Sequence, residues 1–96
     1  MQIHLLEGFY EDEVRVRIAG SEQRLAGVST GTRLGLARTL DVAVASELVE
    51  VDIALPERGL SSSVTVSHAS EASVCVNVTE AGKLELTTSL EPLHPA

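Results

Sequence analysis

Leu34-Gly35-Leu36-Ala37-Arg38-Thr39-Leu40-Asp41-Val42-Ala43-Val44-Ala45-Ser46-Glu47-Leu48-Val49-Glu50-Val51-Asp52-Ile53-Ala54-Leu55 decides how the chain is read. After Gly35 it contains neither Gly nor Pro, and its apolar residues change parity once. Leu34, Leu36, Leu40, Val42 and Val44 hold even positions, and Val49, Val51, Ile53 and Leu55 hold odd ones. Two amphipathic strands joined by a tight turn at Ala45-Ser46-Glu47-Leu48 give that pattern. A helix competes, because Leu36, Leu40, Val44, Leu48, Val51 and Leu55 also fall at spacings of three and four. Five β-branched residues, Val42, Val44, Val49, Val51 and Ile53, favour strands, since each loses rotamer freedom against a helical turn and packs well on a pleat. The stretch therefore predicts a hairpin.

Outward from it, the same alternation recurs. Gln2 to Leu6 start a first strand that ends at Gly8. Val14, Val16 and Ile18 alternate with Arg15 and Arg17, and Gly20-Ser21-Glu22 turns into a weaker strand from Gln23 to Ser29, whose Gly27 marks an edge or a bulge. Pro56 and Gly59 turn the chain straight back into Val64 and Val66, with His68 as a further inward residue. Val74, Val76 and Val78 are followed by a turn at Glu80-Ala81-Gly82 and then by Leu84, Leu86 and Leu90. Pro92 and Pro95 make Glu91 to Ala96 a tail or a cap on an edge. Turn signals at roughly ten-residue intervals predict an all-β, antiparallel sandwich of about seven to eight short strands, as a single domain over residues 1–96.

Composition narrows the function. Apolar residues make up 44% of the chain and aromatics only 2%, so Leu, Val and Ile must build the core. With Phe9 and Tyr10 the only Phe, Tyr or Trp residues, there is little surface on which a base or a sugar can stack. Seven basic residues against fourteen acidic ones give a net charge of −7, which repels nucleic acid and anionic membranes. The first residues lack the pattern of a signal peptide, and the lone Cys75 makes no internal disulfide, so a cytoplasmic setting is expected.

Candidate chemistry is sparse. Ser61-Ser62-Ser63 and His68 form the only local grouping reminiscent of a hydrolytic triad, without a Gly-x-Ser-x-Gly elbow. His4, His68, His94 and Cys75 show no ligand spacing, Gly27, Gly31 and Gly35 lack the ending of a phosphate loop, and Asn77-Val78-Thr79 is a short acceptor pattern that arises by chance. No catalytic residue, metal site or cofactor is assigned. Two surfaces remain. The Phe9, Tyr10, Glu11, Asp12 and Glu13 loop holds both aromatics and a run of charge, which makes it the expected binding loop; Phe9 is alternatively the aromatic anchor of the core. Ala43 and Cys75 stand among small outward residues that let a second sheet or helix pack closely, which makes them the expected interface. The resulting expectation is a non-catalytic binding or assembly module, self-associating or binding a protein partner. The alternative is calcium-assisted binding of a polar ligand such as a carbohydrate at the acidic loop.

Overall fold

The alternating valines and charged residues of the sequence become strands in a computed structural model that describes residues 1–18, 20–31 and 35–89. Eight strands run in order: β1 (Gln2–Leu5), β2 (Asp12–Ile18), β3 (Ser21–Val28), β4 (Arg38–Asp41), β5 (Leu48–Leu55), β6 (Leu60–Ser67), β7 (Ser73–Val78) and β8 (Leu84–Ser89). They form two four-stranded sheets, β4-β1-β7-β8 and β3-β2-β5-β6, packed face to face as an all-β sandwich. Leu34, Leu90 and the segment from Glu91 to Ala96 lie outside the described residues.

Period-two alternation places the core. Val14, Val16 and Ile18 of β2, with Val49, Val51, Ile53 and Leu55 of β5, bury one face of their sheet. Ile3 and Leu5 of β1 and Val74, Val76 and Val78 of β7 answer from the other. Each such side chain gains roughly 1.5–3 kcal/mol by leaving water, which is what fixes register where a one-residue slip would turn the whole set outward. Phe9 is the aromatic member of this core, 3% exposed. Ala69 and Ala72, in a connection that the sequence presents as polar, are buried as well.

The central hairpin does not form. β4 and β5 belong to different sheets: β4 pairs antiparallel with β1, from Gln2↔Asp41 to Leu5↔Arg38, while β5 pairs with β2 and β6. Residues 42–47 cross from one sheet to the other. Leu40 of β4 and Val42 and Val44 just after it pack against the core, and Val49, Val51, Ile53 and Leu55 of β5 belong to it from the other sheet, but alternation along a strand carries no information about its lateral neighbour. The hairpins β2–β3, β5–β6 and β7–β8 form as the turn signals require. β1 and β7 run parallel, from Gln2↔Ser73 to Leu5↔Val76. His68, expected to point inward, is exposed and takes a positive φ of 53° just beyond β6.

At one side of the sandwich β6 meets β8, closing the gap between the sheets. The opposite side, bounded by β3 and β4, is open. A groove of about 440 Å³ remains there, lined by Val16, Ile18, Ser21, Gln23 and residues 41–45.

Candidate functional site

The expected binding loop divides into structural and exposed parts. Asp12, 5% exposed, accepts from both Nε (2.8 Å) and Nη2 (2.7 Å) of Arg58, in a forked charge-assisted pair. Its Oδ2 also accepts from the Tyr10 N–H at 2.8 Å, and Arg58 Nη2 reaches the Gly8 carbonyl at 3.1 Å. Pro56 and Gly59 explain why Arg58 is available: the proline opens a single 3-10 turn and Gly59 ends it in a left-handed conformation, φ 67°, so that the turn leans against the start of β2. Thr30 completes the clamp, exchanging hydrogen bonds with Phe9 at 2.9 and 3.1 Å, while Ser29 accepts from the Glu11 N–H at 2.8 Å.

Of the expected binding loop, Phe9 gives its ring to the core and Asp12 its carboxylate to Arg58. Glu13 is half-buried on β2. Tyr10, 75% exposed, and Glu11 remain at the surface of a loop that is tied down at both ends. The Asp12 carboxylate is engaged by Arg58, and among the described residues no group of three or more His, Cys, Asp or Glu is placed to hold a metal ion.

Ser61 and Ser63 face outward on β6, opposite Ala54 and Asp52, and His68 lies past the end of that strand. His68 is five positions along from Ser63, about 17 Å at the rise of an extended strand, which removes the base from the nucleophile. Ser61 to Ser63 instead flank a shallow concavity of about 420 Å³ with Arg15, Arg17 and Asp52. Beside it Glu22 gathers three guanidinium groups: Arg17 Nη2 at 3.3 Å, Arg24 Nε at 3.4 Å and Arg15 Nε at 3.5 Å. The Arg17 hydrogen bond holds the Glu22 carboxyl below its ordinary value, outweighing desolvation, and the charges of Arg15 and Arg24 add to the effect. The sequence hints at this cluster only through the alternation of Arg15 and Arg17; the part played by Glu22 depends on the register of β3.

Cys75 sits half-buried at the middle of β7, beside His4 of β1 in register. Burial pushes its thiol up from the ordinary value, so it is not an activated nucleophile. His4 is buried, with Nδ1 3.2 Å from Thr39 Oγ1 and no hydrogen-bond partner for Nε2 among the described residues.

Ala43 is exposed and lies in the crossover between the sheets, not on a strand. There it forms part of the wall of the open groove, with half-buried Val42 and Val44 on either side and Val16 and Ile18 as the floor. Leu48, 64% exposed, stands at the end of the same crossover. No family model, curated protein or solved structure matches this chain.

Of the two concavities described, this groove has the more apolar lining, with Val16, Ile18, Val42, Ala43, Val44 and Ala45 against Ile53 and Ala54 beside the serines. Val16 and Ile18 at its base are buried, Val42 and Val44 pack half-buried against the core, Ala43 is exposed, and the polar groups of Ser21, Gln23 and Asp41 form a rim.

Proposed function

We propose that this protein is a non-catalytic assembly module that self-associates through the open side of its sandwich. The observation that carries the reading is the groove lined by Val16, Ile18, Val42, Ala43 and Val44 on the side where β3 and β4 leave the two sheets apart. Apolar lining with a polar rim is the anatomy of a protein-binding patch, and a partner gains by covering the still accessible parts of Val42, Ala43 and Val44. The small side chain of Ala43 lets a partner approach the groove closely. A cytoplasmic setting belongs to the same reading and is supported by the lone thiol of Cys75, which a reducing compartment keeps free.

Light scattering on a sizing column tests it. The expected mass is above that of one chain, both in chelator and in added calcium, and Ala43→Glu should reduce it to one chain by placing a charge against the apolar wall. A wild-type mass of one chain at high protein concentration ends the reading, and assembly that survives Ala43→Glu moves the interface elsewhere. Assembly that requires calcium would instead favour the acidic loop.

A further inference from the structure

The assembly reading leaves open which element of a second copy enters the open side, and β3 supplies an answer. This strand is an edge: β2 pairs with one side of it, and its other side has no strand neighbour among the described residues. An unpaired edge offers a row of N–H and C=O groups to any extended chain, and soluble proteins usually blunt such edges with charge. Here the charges have a particular arrangement. Pairing with β2 is regular from Ser21 to Leu25 and is then interrupted by a register shift opposite Asp12 and Val14, with Gly27 at φ 64°. The regular part is thus five residues centred on Gln23, with Glu22 on one side of it and Arg24 on the other.

We propose that two copies of the chain pair antiparallel along β3, about a two-fold axis through Gln23, forming one continuous eight-stranded sheet. In that register Glu22 of each copy stands opposite Arg24 of the other, and Ser21 stands opposite Leu25. Opposite charges directly across an antiparallel pair stabilise it, and like charges destabilise it. Arg24 has a need for the second carboxylate: its neighbour across β2 is Arg15, a like charge, and it shares its own Glu22 with Arg15 and Arg17. A guanidinium has five N–H donors, whereas one carboxylate has about four acceptor sites, so three arginines leave donors for a further anion.

Register also delivers the right side chain to the groove. Opposite the inward Ile18, Val16 and Val14 of β2, Ser21, Gln23 and Leu25 lie on the inner face of β3, and Ser21 and Gln23 line the groove. Leu25 of the second copy, placed beside Ser21, enters the side of the sandwich where Val42 and Val44 are half-buried. The two-fold symmetry repeats this contact, as an isologous interface requires.

This inference rests on the assembly reading, and the two fail differently. In a Cys75→Ser background, Gln23→Cys places one thiol on the axis, where directly opposed Cβ atoms approach within about 4.5–5.5 Å, close to disulfide reach. Mild oxidation should convert that variant to a covalent dimer. Ser21→Cys and Leu25→Cys should cross-link poorly alone and readily when mixed. Arg24→Glu, which sets Glu against Glu22, should weaken the dimer about tenfold or more while circular dichroism and melting show a folded chain. A dimer by light scattering that gives no cross-link in the Gln23→Cys variant and is indifferent to Arg24→Glu overturns the β3 pairing and leaves self-association standing. A mass of one chain overturns both.

Discussion

Asp12 and Arg58 join the loop before β2 to the turn after β5, and their contribution is open to measurement. The carboxylate is almost wholly buried and the guanidinium side chain is about one-third exposed, so the pair lies between a surface ion pair and a buried one. Asp12→Asn keeps the shape and removes the charge, leaving Arg58 without its anion; a loss of about 1–3 kcal/mol is expected, read as a lower midpoint in urea. The loss should be equal with and without calcium, because the carboxylate serves Arg58. Glu22 gives a pH signature. Since its folded value lies below the ordinary 4.5, its contribution to stability is complete above that pH and disappears as pH falls through the lower, folded value. Melting temperature followed from pH 6 downward should therefore fall less steeply in Glu22→Gln than in the wild-type chain across that window. For Cys75, burial and a raised pKa predict alkylation at pH 8 that is roughly tenfold or more slower than in the urea-unfolded chain, measured with iodoacetamide.

Elements are specified unevenly along the chain. Strands with strict alternation between turn residues, such as β2, β7 and the second half of the Leu34–Leu55 stretch, can be read directly from sequence because burial imposes a period of two. β4 is shorter than its pattern suggests, since only Arg38–Asp41 find a ladder on β1, and the valines that follow are used in the crossover. Lateral neighbours cannot be read in the same way: β1 pairs with strands far along the chain, and no local signal says so. The candidate site was legible in pieces. Ala43 could be singled out as a small residue among valines, but its groove exists only because the chain changes sheets there. Tyr10 and Glu11 are exposed as their types suggest, whereas the burial of Asp12 depends on Arg58, distant in sequence. Turns follow local rules more closely. Gly8 combines φ +88° with a position where an added Cβ would collide with the carbonyl of Val78, while Gly59, at φ +67°, has open space around it. Gly59→Ala should cost about 1 kcal/mol through backbone strain alone, and Gly8→Ala clearly more, as compared by thermal melts of the two variants.

For the molecule as a whole, two sheets share one core, and neither has a second apolar layer of its own among the described residues. Leu5 belongs to one sheet and Ile53 to the other, and both are fully buried. Leu5→Ala and Ile53→Ala should each remove about 2–5 kcal/mol, and each should shift a single unfolding transition without splitting it, seen as coincident curves from circular dichroism and from hydrogen exchange. The order in which strands appear during synthesis adds a further consequence. β2, β3, β5 and β6 pair with strands near them in the chain, so their sheet is available once β6 has left the ribosome. Of these eight strands β1 is made before the other seven, yet its neighbour β7 follows five strands later than β2. Until then Ile3 and Leu5 have only β4 beside them. Nascent chains stopped just after β6 should therefore carry β1 with one edge still adhesive, a natural client for a chaperone, and release of β7 is the event that retires it.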